Sequence, residues 1–329
     1  MPSVFVYEYF TARGQGRSPS HGAHSLWSEG NAMLSACVAD FERMPGVTVT
    51  TMRDVSPHDD WAEFCRLAAE CDATLVIAAE IDSVLERRQR SARAAGARSI
   101  LGSAETATQI ASDKSWLAQV WSSAGVPTPA TIPVERVSAN FPVVIKSPFG
   151  AGSHAIRRID SLSEWEELRQ GERFCGYLVE GMLAQPYVPG RAVSVSFLVG
   201  PNCVVPLLPG FQRLSGDGRF TYHGGEIPTP DDLTVRAVRL GRRAIDAVPG
   251  LAGYVGVDLV LGDAADGSGD FAIEINPRLT TSYVGLRALT ADNLMAKLWD
   301  VCAGAAGVRV RWNDGGVRFT PDGTVTRFA

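Results

Sequence analysis

Hydrophobic positions in the first hundred residues switch repeatedly between two periods. VFVYEY (4–9) is an apolar run of strand length. SLWSEGNAMLSACVADFERM (25–44) follows with Leu26, Met33, Leu34, Cys37, Val38 and Phe41 at helical spacing. VTVTTM (47–52) predicts a second strand. The next segment, SPHDDWAEFCRLAAEC (56–71), predicts a helix with Ser56 as N-cap, Pro57 at the first helical position and Asp59 three residues after the cap. ATLVIAA (73–79) is apolar almost throughout, as a parallel strand covered on both faces should be. Strands and helices in this order predict a small doubly wound α/β lobe. Gly14 and Gly16 follow the first strand, but the third glycine of a dinucleotide fingerprint is replaced by Pro19.

From residue 141 the texture changes to hairpins. FPVVIK (141–146) and HAIRRI (154–159) flank a glycine-rich loop, and GYLVEGMLAQPYV (176–188) with AVSVSFLVG (192–200) predicts a second hairpin. TPDDLTVRAVRLGRRAIDAV (229–248) predicts a helix with Thr229 as cap and Pro230 behind it. The closing segment GVRVRWNDGGVRFTPDGTVTRF (307–328) predicts short strands with turns at NDGG and PDG. The fold class expected is therefore α/β followed by α+β.

GYVGVDLVLGDAADGSGDFAIEIN (253–276) carries the most specific pattern. Paired symmetrically about Asp266, it sets Val257 against Ile275, Leu259 against Ile273 and Leu261 against Phe271. One face is then core. On the other, Asp258 lies opposite Glu274, with Asn276 two residues further along. Facing carboxylates repel unless a cation or a shared proton sits between them. Oxygen-only donors suit magnesium or manganese. The plain alternative is a solvated acidic hairpin.

VVIKSPFGAGSH (143–154) puts Lys146 at a strand end, with Gly150, Ala151, Gly152 and Ser153 behind it. Small residues let backbone N–H groups approach phosphate oxygens, and a lysine adds a point charge. The order is not that of a Walker A loop, and a plain hairpin turn is the alternative. Lys114 opens a helix after Ser112-Asp113, where a cation opposes the helix dipole; this suggests an external anion, or simply a surface lysine.

Composition narrows the partners. A chain of 329 residues, 45% hydrophobic with net charge −5, has core enough for two or three lobes and no basic footprint for nucleic acid or anionic membrane. Cys37, Cys65, Cys71, Cys175, Cys203 and Cys302 form no C-x-x-C pair, so reduced thiols are expected. No stretch reaches the ~20 apolar residues of a membrane span, and a cytoplasmic location is the expectation.

The ordered segments ASDK, VVIKSPFGAGS, AQPYVPGRAVSVSFL, GYVGVDLVL and IEINPRLTTSYVGLR resemble the ATP-grasp superfamily over about residues 100 to 300. The resemblance implies an N-terminal pre-ATP-grasp lobe (1–102), a central or lid subdomain (103–186) and a C-terminal subdomain with the metal site (187–329). It implies ATP and Mg2+ (or Mn2+) as cofactors. Lys114 and Lys146 would contact ATP phosphates, the 150–153 loop would cover them, and Gln185, Tyr187 and Val188 would form the adenine hinge. Asp258, Glu274 and Asn276 would carry the metal. Arg278, with Lys146, would act in phosphoryl transfer. One departure is Ala192, where many relatives have a ribose-binding glutamate; Glu180 is the substitute considered.

At a finer level, YEYFTARG (7–14) and EINPRLTTSYVGLR (274–287) look most like the tyramine–glutamate ligases of methanofuran and methylofuran biosynthesis. That implies an ADP-forming ligase which phosphorylates a glutamate γ-carboxylate and joins it to an amine such as tyramine or tyrosine. Thr280, Thr281, Ser282 and Tyr283 offer hydroxyls for substrate, and Arg287 a guanidinium for an α-carboxylate. The long loop 211–228 adds Gln212, Arg213, Tyr222 and His223 as candidates. The partners expected are small molecules, an amino acid and an amine, with room for a homodimer. The rivals are another amino-acid, dipeptide or polyglutamate ligase, and a nucleotide sensor without turnover.

Overall fold

A computed structural model describes residues 1–14, 21–56, 59–138, 140–150, 155–171, 173–174 and 177–329. The N-terminal lobe runs β1 (Ser3–Glu8), α1 (Tyr9–Ala12), α2 (His21–Glu42), β2 (Thr48–Thr51), α3 (Asp60–Glu70), β3 (Ala73–Ile77) and α4 (Val84–Ala94). Its parallel sheet has the order β2-β1-β3. All five residues of β3 are buried, as its unbroken apolar run requires. The α3 cap differs from expectation: the helix starts at Asp60, and Ser56 contributes its carbonyl to the amides of Asp59 and Asp60. Pro57, Gly16 and Pro19 lie outside the described residues.

Two short helices follow, α5 (Glu105–Ser112) and α6 (Lys114–Ser123). Asp113 caps α6, its carboxylate accepting from the amides of Ser115 (2.9 Å) and Trp116 (3.0 Å). Next come β4 (Ile132–Pro133), β5 (Val143–Lys146), β6 (Ile156–Ile159), α7 (Leu162–Gln170), β7 (Arg173–Phe174), β8 (Tyr177–Leu178) and β9 (Leu183–Pro186). A small sheet of order β4-β9-β5-β6 packs around Ile145, Ile159, Trp165 and Ala184.

The rest of the chain is β10 (Arg191–Val199), β11 (Val204–Pro206), β12 (Gly210–Leu214), β13 (Tyr222–Ile227), α8 (Asp231–Asp246), β14 (Gly253–Leu261) and β15 (Phe271–Asn276). It closes with α9 (Ser282–Leu289), α10 (Leu294–Cys302), β16 (Gly316–Phe319) and β17 (Val325–Phe328). The larger sheet runs β15-β14-β10-β12-β13-β16-β17, with β11 beside β10.

Strict alternation makes this sheet two-faced. Val193, Val195 and Phe197 on β10 join Val255, Val257 and Leu259 on β14 against α8 and the helices α5 and α6, through Ala107, Leu117 and Trp121. In α8, Leu233, Ala237, Leu240 and Ala244 supply the matching buried stripe. Ser194, Ser196 and Asp258 point the other way, into a cleft.

Three expectations are corrected here. Strands β9 and β10 do not pair with each other: β9 belongs to the small sheet and β10 to the large one, so residues 187–190 cross between them. Helix α8 begins at Asp231, and Thr229 bonds to the Thr234 hydroxyl (2.8 Å) in place of a helix amide. In the closing segment only β16 and β17 form; Trp312 makes just an isolated bridge to Thr290.

Candidate active site

The β14–β15 hairpin keeps the expected register where chemistry is at stake. Val257 faces Ile275, Asp258 faces Glu274, and Gly256 faces Asn276. Beyond Asp258 the register shifts: Leu259 faces Ala272 and Val260 faces Phe271, not the partners symmetry gave them. The extra residue is Ile273, which lines the cleft beside Glu274. A bulge of this kind re-aims one side chain at the price of one ladder step. On the neighbouring strand Ser194 lies opposite Asp258, so a hydroxyl and two carboxylates stand in a row across the sheet.

Asp258 accepts from Gln212 Nε2 (3.0 Å) and Asn276 Nδ2 (3.2 Å). Burial, then the charge of Glu274, pushes its carboxyl up to about 8. Burial also pushes Glu274 up, but Lys114 and Lys146 outweigh it and hold that carboxyl below the usual range. The pair therefore behaves as two like charges that a shared proton can hold together. A divalent cation could replace that proton. Among the described residues no three His, Cys, Asp or Glu side chains converge as a cage. Two carboxylates and one amide are the sparser set that suits magnesium, which keeps waters and substrate phosphates as its other ligands. Asn276 now turns its amide nitrogen to Asp258 and its oxygen toward Arg278 (3.3 Å).

Two lysines close one side. Lys146, at the end of β5, is 3% exposed, and burial together with Lys114 lowers it to about 8. Lys114, at the start of α6, donates to the Gly150 carbonyl (2.8 Å) and lies 3.7 Å from Glu274. Gly150 lines the cleft, while Ala151, Gly152 and Ser153 fall outside the described residues. Gln185 bonds Thr131 (2.7 Å), and the Tyr187 amide donates to Pro142 (3.0 Å); both residues and Val188 line the cavity, which encloses about 480 Å³. Tyr187 is held between Arg158, 4.2 Å from its ring centre, and Phe220, stacked at 6.4 Å.

The far side holds Arg278, 10% exposed, which donates to Glu80 (2.8 Å) and to the Leu279 carbonyl (3.1 Å). Thr280, Thr281 and Ser282 line the cleft there with Tyr222. Thr280 and Ser282 share a hydrogen bond (2.8 Å), and the Tyr254 hydroxyl reaches Ser196 (2.8 Å). Gly256 makes room: a Cβ there would stand 2.7 Å from the Thr280 methyl.

This combination of two lysines, a two-sheet cleft and an acid–acid–amide hairpin agrees with the sequence comparisons. An ATP-grasp domain matches residues 111–282, and a pre ATP-grasp 3 domain matches residues 35–108.

The chain belongs to the ATP-grasp family.

Members of this family use ATP with a divalent metal. Over 304 residues the chain is 25% identical to the tyramine–L-glutamate ligase of Methanocaldococcus fervens, spanning 86% of this chain and 89% of that one. It is 28% identical over 213 residues to the D-alanine–D-alanine ligase of Hydrogenovibrio crunogenus, 60% of this chain and 66% of that one. A solved ATP-grasp superfamily protein from Archaeoglobus fulgidus superposes with a TM-score of 0.66 at 26% identity, covering 97% of this chain and 92% of the other. These relatives support an ATP-dependent ligase.

The ATP-grasp cleft excludes several residues that sequence put in it. Tyr283 and Arg287 turn away: both bond buried Asp40 of α2, Arg287 through Nε (3.0 Å) and a second nitrogen (2.7 Å). They bind the two lobes together. Arg213 and His223 are exposed on the outer side of their strands, and Glu180 is exposed on a turn outside the cleft. Ala192 does line the cavity and supplies no acid. Glu29 and Glu80 are the missed residues, since both come from the N-terminal lobe and reach the site only through lobe docking. Cys37, Cys65, Cys71, Cys203 and Cys302 are free thiols, and Cys175 is outside the described residues. No helix among the described residues is long and apolar enough to cross a membrane.

Proposed function

We propose that this chain uses ATP to phosphorylate an amino-acid carboxylate, the γ-carboxylate of L-glutamate in our reading, and joins it to an amine such as tyramine, releasing ADP and phosphate. The facing pair Asp258 and Glu274, opposite two lysines in one cleft, is the observation that carries this. The similarity to a tyramine–L-glutamate ligase over most of both chains supports the choice of substrates.

A carboxylate resists attack because an amine approaching its carbon meets negative charge. Phosphorylation turns one oxygen into a leaving group, and no protein nucleophile is needed. Magnesium held by Asp258, Glu274 and Asn276 would neutralise charge developing on the transferred phosphoryl group. The chain's own residues do the rest. Lys146 and Lys114 set two cations against the phosphates, and Lys114 ties that grip to the glycine loop through Gly150. Tyr187 and Val188 at the crossing between sheets offer the base an apolar wall. Arg278, fixed by Glu80, directs its guanidinium to the acyl oxygen, where preformed donors are worth most.

The test is ADP release with L-glutamate, magnesium and ATP, with and without tyramine, followed by product mass. Amine-dependent ADP release with a γ-glutamyl amide supports the reading. ADP release that ignores every amine offered, or none at all, contradicts it.

A further inference from the structure

The cleft has a second compartment on the side of the N-terminal lobe. A small cavity of about 40 Å³ is walled by Phe10, Leu26, Met33 and Ile77, with Glu8 beside them, and it shares Glu29 and Arg278 with the main cleft. Glu8 lies flat against α2: a Cβ on Gly30 would come within 2.4 Å of its Oε1. One oxygen of Glu29 accepts from the Thr281 hydroxyl. The Glu29 side chain also opens to the main cleft.

Among the described residues, the carboxyl groups of Glu8, Glu29 and Glu80 gather about the guanidinium of Arg278, which donates to Glu80 (2.8 Å). A second, independent feature points to a ligand. The Arg278 side chain is only 10% exposed and lines both cavities, yet among the described residues its Nε–H has no acceptor and Glu80 Oε1 has no donor. Buried groups left in this state cost on the order of 1–3 kcal/mol each, so they are rarely left without purpose. A ligand that brings a cationic N–H to Glu29 and an oxygen to Arg278 adds a partner to each of these two side chains. An ammonium poised beside an activated carboxyl is such a ligand.

We propose that Glu29 is a catalytic residue of the acceptor side: it binds the ammonium of the amine substrate and takes the proton that the ammonium must lose. This rests on the ligase reading above. The step balances as follows. The R–NH3+ group gives one proton to the Glu29 carboxylate, and the freed lone pair forms the C–N bond at the acyl phosphate carbon. The C–O bond to phosphate then breaks and its electron pair leaves with the phosphate. The nitrogen's second proton goes to that phosphate, its third remains as the amide N–H, and the proton on Glu29 passes to water. Burial raises the Glu29 carboxyl above the ordinary glutamate value, which suits a group that must hold a proton for part of the cycle.

The experiment compares wild type with Glu29→Gln using two nucleophiles, with L-glutamate and magnesium-ATP present. Tyramine arrives as an ammonium; hydroxylamine is uncharged at neutral pH and needs no ammonium site. Glutamine preserves an acceptor for Thr281, and hydroxamate formation reports an intact fold and an intact activation step. The expected result is a fall in kcat/KM for tyramine of roughly a hundredfold or more, with hydroxamate formation kept within about threefold of wild type. Equal losses with both nucleophiles, or no loss with tyramine, overturn the role of Glu29 while leaving the ligase reading in place. A wild-type protein that makes neither amide nor hydroxamate contradicts the ligase reading, and Glu29's role falls with it.

Discussion

Asp258 on β14 stands directly across the strand pair from Glu274 on β15, both on the cleft face of a sheet whose reverse is packed core. Two like charges in that position weaken the hairpin unless something positive is supplied. The nearest protein cation, Lys114, stays 3.7 Å from Glu274 and is committed to Gly150. A shared proton relieves the repulsion when no metal is bound, and a bound divalent ion would do so in the loaded site.

Glu274→Gln removes one charged oxygen and keeps the shape. Turnover should fall by roughly a hundredfold or more, as several kcal/mol of metal-borne stabilisation disappears. The fold should persist, because the like-charge repulsion with Asp258 goes too. Near-normal ADP formation by this variant would remove Glu274 from the metal site.

Lys146→Ala deletes a buried ammonium at the end of β5, where we propose the phosphates bind. ATP affinity should weaken by about 10- to 100-fold, the worth of one charge-assisted bond. Titration calorimetry with a non-hydrolysable ATP analogue reads this directly. Unchanged affinity would count against the phosphate role.

Arg287→Ala tests a residue that sequence placed among substrate contacts and structure places in the lobe interface. Removing it leaves the carboxylate of Asp40, fully buried, with the Tyr283 hydroxyl and the Arg43 guanidinium but without its bidentate arginine. A loss of about 1–3 kcal/mol in unfolding free energy is expected, since Arg43 still faces Asp40, while KM for glutamate should stay within a few-fold. A selective rise in KM with stability unchanged would restore the substrate role.

Glu8 gives the fold a pH dependence. Burial raises its carboxyl from 4.5 to about 7, against the pull of the Thr11 and Phe10 amides and of Arg278; Glu29 shares its cavity. Between those two values the folded state holds a proton that the unfolded state has lost. Stability from this group is therefore complete below pH 4.5 and declines as pH rises through 7, by up to about 3 kcal/mol. Denaturant unfolding of wild type and Glu8→Gln across pH 4.5–7.5 should show the variant gaining on wild type as pH rises. A constant difference between them would contradict this assignment.

Much of the site could be read from the chain because alternation fixes faces. In GYVGVDLVL and FAIEIN the apolar residues choose the core side, and Asp258 and Glu274 are left to meet. The bulge was not legible, because Ile273 has the composition of a core position and only the apolar wall of the cleft explains its turn outward. The β9–β10 pairing failed for a related reason. Both segments alternate well and a short turn joins them, yet each finds a better partner elsewhere, leaving Tyr187 and Val188 at the crossing. Arg287 was misassigned because its partner, Asp40, lies 247 residues away. Glu29 sits on a helix with several polar positions, and nothing local says which one the docked lobe will turn inward.

The most direct test of the metal assignment is Mn2+ binding followed by electron paramagnetic resonance, with a non-hydrolysable ATP analogue present. Wild type should remove free Mn2+ from solution in a nucleotide-dependent manner, and a double variant, Asp258→Asn with Glu274→Gln, should leave it free while its circular dichroism stays that of wild type. Equal Mn2+ uptake by both proteins would place the ion elsewhere and leave this hairpin without its proposed task.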